Sequence, residues 1–207
     1  RLPIGVIRRT RQACGNDFII LYRLSMLDLV EGGLSWAETV KLAQALELAG
    51  ATMFNTGIGW HEARIPTIMH SVPRGAFAWV TSRLMGKVGV PVITSNRINN
   101  PDQAEALIAA GGADMVSMAR PFLADADLVA KAIAGKADEI NTCIACNQGC
   151  LDYIFRSKVC TCLVNPRACY ETELEIKPVA AAKKLAVVGA GPGGCPMLLP
   201  PLNGDMT

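Results

Sequence analysis

The sequence predicts an α/β fold: the C-terminal half of a (β/α)8 TIM barrel, an iron–sulfur insert, and the first strand and turn of a Rossmann-like nucleotide domain. Three observations predict it. Four short apolar runs alternate with helical patterns, which implies parallel strands covered on both faces. Polar residues gather at the carboxyl ends of those runs. Six of the eight cysteines crowd into residues 143–169.

The elements follow in order. Residues 1–15 read as the end of a basic helix stopped by Gly15. F-I-I-L-Y (18–22) reads as a fully apolar strand that ends at Arg23. Ser35 with Glu38 makes a capping box, and Trp36, Val40, Ala43 and Leu46 keep a helical stripe as far as Gly50. A-T-M-F-N (51–55) is a second strand, followed by the loop G-I-G-W-H-E-A-R. Residues 76–88 read as helical, and V-P-V-I-T-S (90–95) as a third strand. Asn100-Pro101 caps a helix that Gly111-Gly112 ends. A-D-M-V-S-M (113–118) is a fourth strand, with a short helix near 125–134.

A doubly wound sheet and a barrel both fit this alternation. The positions of Arg23, Asn55-Thr56, Asn96-Arg97 and Ala119-Arg120, each expected just past a strand's carboxyl end, favour the barrel. That end of a barrel carries the active site, and its last two loops commonly hold a phosphate. Arg97 and Arg120 occupy those loops if these are the last four strands. The expected domains are a half barrel over 1–140, a cysteine segment over 141–175, and a truncated nucleotide domain over 176–207.

Composition bounds the function. With 51% hydrophobic and 18% charged residues, the chain forms a core and is not a disordered polymer. A net charge of +2 is too balanced for a general nucleic-acid binder. No apolar run approaches the roughly 18 residues of a membrane span. No secretory signal is seen and the chain opens on Arg1, so a fragment or a processed piece of a cytoplasmic protein is expected.

Clustered cysteines suit a metal site in a reducing compartment better than a dispersed disulfide framework. Cys143, Cys146 and Cys150 stand on one tight loop, and either Cys162 or Cys160 supplies a distant fourth thiol. Three close thiolates and one remote one suit an iron–sulfur cluster; zinc, which favours two symmetrical knuckles, is the alternative. Cys14, Cys169 and Cys195 read as ordinary thiols.

His61 lies beside Glu62 and Arg64 after a flexible G-I-G turn. It is read either as a hydrogen-bonded structural group or as a proton donor at the functional end of the barrel. Arg23, Arg97 and Arg120 are either solvated charges or fixed cations for an anionic ring or phosphate. G-A-G-P-G-G (189–194) follows an expected strand at 184–188, but the proline-rich tail after it cannot form the helix such a turn needs.

Several segments together resemble the bacterial-type 2,4-dienoyl-CoA reductases, flavin and iron–sulfur relatives of the Old Yellow Enzyme group. They are Y-R-L-S-M-L-D-L-V (22–30), N-T-G-I-G-W-H-E-A-R-I-P-T-I (55–68), V-P-R-G-A-F (72–77), T-S-N-R-I-N (94–99), D-M-V-S-M-A-R-P-F-L-A-D (114–125), C-I-A-C-N-Q-G-C-L-D (143–152) and C-L-V-N-P-R-A-C (162–169). H-E-A-R-I-P-T-I narrows the resemblance to this family; the arginine and cysteine motifs are shared more widely.

The resemblance implies FMN, a 4Fe-4S cluster, FAD and NADPH as cofactors, and an unsaturated fatty acyl-CoA of β-oxidation as substrate. Electrons would pass from NADPH through FAD and the cluster to FMN, and then as hydride to the substrate. Arg23 would face the pyrimidine side of FMN, while Arg97 and the turn Ala119, Arg120, Pro121 would hold its phosphate. Gln148 would touch FMN. His61 would assist proton delivery, and Glu62, Ala63, Arg64 and Ile65 would line the acyl-CoA site. Cys143, Cys146, Cys150 and Cys162 match the cluster ligands. Gly189, Gly191 and Gly194 match the FAD-phosphate turn. The family's first four strands, its tyrosine proton donor and most of its FAD and NADPH domains have no counterpart here, so the chain alone is expected to be inactive. A related enoate reductase or amine dehydrogenase, or a small electron-transfer or zinc module, are the competing readings.

Overall fold

The computed structural model describes residues 1–60, 62–175, 177–178, 181, 184, 186, 188 and 189. Arg1–Glu173 form one compact unit and Leu174–Thr207 a second. In the second, Lys177 pairs with Glu175 at 2.9 Å on the surface.

The first unit opens with helix α1, Leu2–Cys14, which ends where Gly15 takes φ 82°. Arg11, in its last turn, donates to the carbonyls of Gly15, Asn16, Phe18 and Gly50. One guanidinium thus satisfies the chain leaving α1 and the end of the next helix. Strand β1 is Leu21–Leu27, helix α2 Trp36–Leu48 and strand β2 Met53–Ile58. Helix α3 is Ala78–Ser82, strand β3 Val92–Thr94 and helix α4 Pro101–Ala109. Strand β4 is Met115–Val116, followed by helices α5, Arg120–Ala124, and α6, Leu128–Ile133.

The four strands are parallel and stand in the order β1-β2-β3-β4. A doubly wound sheet reverses its order at a switch point. An unreversed run of parallel neighbours is that of consecutive barrel strands. Both anticipated caps form. Ser35 and Glu38 make the reciprocal capping box of α2, and the Asn100 side chain accepts from Gln103 N–H ahead of Pro101.

The strand limits differ from those the sequence suggested. β1 starts at Leu21 and runs past Arg23, which therefore lies inside the strand and not beyond its carboxyl end. The reason is its period: Leu24 and Met26 are buried while Arg23 is exposed, the alternation of a half-buried strand. Asn55 and Thr56 likewise lie within β2. The α3 helix is five residues long, far shorter than 76–88. Of the expected strand at 184–188, the described residues Lys184, Ala186 and Val188 lie in no strand.

One face of the sheet packs on helices. Leu24, Met26, Phe54 and Val92 share a core with Ala43 and Leu46 of α2 and Val80 and Leu84 from the α3 region. Complete burial of Phe54 or Leu24 contributes about 1.5–3 kcal/mol each. Three buried threonines cross the same layer. Thr81 donates to Thr94 at 3.0 Å, and Thr56 lies 3.0 Å from Thr81 while donating to the Ile93 carbonyl at 2.9 Å. On the other face, Arg23, Asn55, Ile93 and Met115 form one cross-strand row. Among the described residues, no helix is long and apolar enough to cross a membrane.

Candidate active site

The loops leaving β2, β3 and β4 bring Arg74 and Arg120 into electrostatic reach of Arg97. After β3, Asn96 and Arg97 take left-handed φ values of 70° and 56°. Two consecutive non-glycine residues there store backbone strain, a feature of functional loops. The Arg97 carbonyl accepts from Gly75 N–H and its Nε donates to the Val72 carbonyl at 2.8 Å. Burial pushes the Arg97 guanidinium below its ordinary value, and the positive charges of Arg120 and Arg74 push the same way, with Cys143 opposing. Ala119 stands at the start of α5, Arg120 in its first turn and Pro121 buried behind it. Such a gathering of cations suits a polyanionic group such as a phosphate. Arg74 was not selected from sequence; only its place in V-P-R-G-A-F signalled it.

Beside Arg120 lies a shallow recess that Cys143, Cys146, Cys150 and Cys162 line together. Cys160 is not among its lining residues; its thiol contacts the Thr161 carbonyl at 3.9 Å. Burial raises the thiol pKa of both Cys160 and Cys162, and neighbouring Cys169 adds to the effect on Cys160. Ala145 and Asn147, interleaved with the cysteines, take φ of 55° and 64°. Gly149 allows two strands of this segment to meet: a Cβ there would lie 3.2 Å from the Thr161 carbonyl. Among the described residues, no three His, Cys, Asp or Glu side chains are grouped so as to hold a metal ion.

Long-range polar contacts fix the segment. Asn99, buried, donates to the Cys143 carbonyl at 2.7 Å. Asn141 donates from its main chain to Asp125 and from its side chain to the Ala124 and Val164 carbonyls. Asn165 donates to the Leu123 carbonyl. Asp125 and Lys131 form a buried pair at 2.6 Å at the centre of this network. Asn99, Asp125 and Asn147 were signalled only by their places in the quoted segments and Asn141 not at all, because their partners lie 6–44 positions away.

The other expected residues distribute as follows. Arg23 sits in register with Asn55, and its side chain passes over Gly57, whose added Cβ would lie 3.5 Å from its Nε. Asn55 in turn accepts from Ser117 at 3.2 Å. Gln148 is exposed, at the start of the turn Gln148–Asp152. Glu62, Arg64 and Ile65 are exposed and Ala63 half-buried on the loop after β2. Ala63 N–H donates to the Trp60 carbonyl. His61, Gly191 and Gly194 lie outside the described residues, while Gly189 has φ 107°.

The lining of the recess offers four thiols and no carboxylate, the donor chemistry of an iron–sulfur cluster, and a Cβ at position 149 would press to 3.2 Å on the Thr161 main chain.

Comparison with known proteins bears on this arrangement. The family described as NADH:flavin oxidoreductase / NADH oxidase matches residues 1–139. A metal reductase of Desulforamulus reducens is 42% identical over 196 residues, covering 94% of this chain and 29% of that protein. A solved complex of 2-naphthoyl-CoA reductase with 2-naphthoyl-CoA is similar with a TM-score of 0.88 and 36% identity, over 92% of this chain and 30% of that one. The histamine dehydrogenase of Rhizobium sp. 4-9 gives a TM-score of 0.72 at 25% identity, over 83% of this chain and 24% of that one. The chain thus spans less than a third of the length of these relatives.

Proposed function

The chain belongs to the NADH:flavin oxidoreductase / NADH oxidase family, and from that premise we propose that it is the second half of the FMN barrel, with its cluster segment, of an NADPH-dependent 2,4-dienoyl-CoA reductase. Its fold is a partial TIM barrel and its family is a flavin-dependent oxidoreductase family. Residues 1–140 form the half barrel, 141–175 hold the cluster, and 176–207 begin an FAD and NAD(P)H domain that other parts of the parent enzyme complete. The enzyme works in the cytoplasm.

One observation carries the reading: Arg120 lines the four-thiol recess and stands within electrostatic reach of Arg97. A flavin phosphate and a cluster held there would be neighbours. When bound, FMN supplies a hydride to a conjugated thioester, replenished singly through the cluster. Arg97 and Arg120, with Ala119 and Pro121 shaping the turn, hold the FMN phosphate, and Arg74 adds to their charge. Arg23 stabilises negative charge on the flavin ring from inside the barrel, and Gln148 contacts the flavin from the cysteine loop. Cys143, Cys146, Cys150 and Cys162 hold the cluster.

His61 delivers a proton to the reduced substrate. Glu62, Ala63, Arg64 and Ile65, solvent-accessible after β2, line the acyl-CoA path. Gly189, Gly191 and Gly194 take the FAD phosphate. Support for an acyl-CoA substrate comes from the similarity to 2-naphthoyl-CoA reductase, whose complex holds an unsaturated acyl thioester. An amine dehydrogenase is the second reading, favoured by the weaker likeness to histamine dehydrogenase.

The test is an anaerobic assay of the full-length enzyme with NADPH. Oxidation of NADPH on adding a 2,4-dienoyl-CoA supports the reading. Turnover with 2-naphthoyl-CoA alone moves the substrate to aromatic thioesters, and turnover with amines alone overturns it.

A further inference from the structure

We propose that Arg120 sets the electron affinity of the group held in the cysteine recess, acting as a fixed positive charge that Asn147 holds beside the four thiols. This rests on the cluster reading above and goes beyond it, because that reading uses Arg120 only as a phosphate ligand.

Two features place the charge. Arg120 lines the same recess as Cys143, Cys146, Cys150 and Cys162. Its Nη1 donates to Asn147 Oδ1 at 2.5 Å, and Asn147 lies on the loop between Cys146 and Cys150, held by a left-handed backbone. The guanidinium is therefore anchored to the loop that carries three of the thiols.

Two further features keep the charge effective. No carboxylate lines the recess; besides Arg120, Asn147 and the four thiols its walls are Leu123, Ile144, Gly149, Leu163 and Val164. Among the described residues, the ion pairs join lysines to acidic groups and none uses Arg120. A cation facing thiolates across apolar walls is weakly screened. It stabilises the state that carries one more electron, so it raises the reduction potential of whatever the thiols hold. Reduction potentials of such clusters respond to net charge and hydrogen bonding around the sulfurs.

The experiment uses the full-length enzyme, reconstituted anaerobically with ferrous iron and sulfide and titrated potentiometrically with electron paramagnetic resonance as readout. Arg120→Gln is expected to lower the reduced-to-oxidised ratio about tenfold at fixed potential, a shift of about 59 mV for one electron. Arg120→Lys, which keeps the charge, is expected to stay within about threefold of the wild type. Asn147→Ala, which keeps the arginine but frees it, is expected to shift the ratio downward by more than threefold. A merely structural role for Arg120 would leave the ratio unchanged in molecules that retain the cluster. Arg120→Gln with a cluster and an unchanged ratio overturns the inference. If that variant takes up no cluster, an unchanged ratio in Asn147→Ala overturns it instead. A wild-type chain that takes up no iron and sulfide overturns the cluster reading itself, and the inference with it.

Discussion

The side-chain amide of Asn99 donates to the main-chain carbonyl of Cys143 at 2.7 Å, across 44 positions of sequence. Both residues are buried. The bond ties the loop that carries Arg97 to the first cysteine of the recess, so the arginine group and the thiols share one mechanical frame. The Asn99 Oδ1 is buried without a hydrogen-bond partner among the described residues. Replacing Asn99 by Leu leaves the Cys143 carbonyl unpaired in the interior. It is expected to cost about 1–3 kcal/mol, read by urea unfolding, and to lower iron uptake on reconstitution.

The choice of fourth thiol is testable because Cys162 lines the recess and Cys160 does not. Cys162→Ala is expected to abolish stable iron and sulfide uptake, while Cys160→Ala retains it. The measurement is iron and acid-labile sulfide per chain after gel filtration. The reverse order would exchange their roles.

Arg97 is fixed through its Nε to the Val72 carbonyl, close to the charges of Arg120 and Arg74. Arg97→Gln removes one cation from that group and leaves the Val72 carbonyl without its donor. FMN affinity is expected to fall at least tenfold, a loss of about 1.4 kcal/mol or more, with a smaller fall for Arg97→Lys. Flavin fluorescence titration reads both.

Asp125 gives the fold its acid sensitivity. Burial would raise its carboxyl pKa, but hydrogen bonds from Lys131 and from the main-chain N–H groups of Asn141 and Asp127 outweigh that, and the value falls below the ordinary one. A carboxyl lowered on folding adds stability above its unfolded value, and that stability is lost as pH falls through the lowered one. Asp125→Asn is expected to remove this acid-dependent component. At neutral pH it also leaves Lys131 buried without its counter-charge, costing about 3–5 kcal/mol. Urea midpoints of both proteins between pH 7 and pH 3 check it: the difference should narrow toward acid.

What could be read from the sequence was local. The Ser35 box, the Asn100-Pro101 start and the Gly15 stop each depend on residues within a few positions, and each formed. The four parallel strands were legible from alternation, but their limits were not, because pairing between β1 and β2 sets them. A run read as wholly apolar missed the two-residue period that puts Arg23 on the opposite face from Leu24. Three thiols were legible from spacing, which left Cys160 and Cys162 open as the fourth; the resemblance chose Cys162. The holding roles of Asn99, Asn141 and Asn165 were not legible, because their partners are main-chain carbonyls far along the chain.

The most direct measurement is elemental and chromophore analysis of the full-length enzyme reconstituted anaerobically with FMN, ferrous iron and sulfide. The predicted result is about four iron and four sulfide per chain with bound FMN, both lost together when Arg97 and Cys162 are replaced. Stoichiometric zinc without sulfide, or a chain that binds neither iron nor flavin, would contradict it.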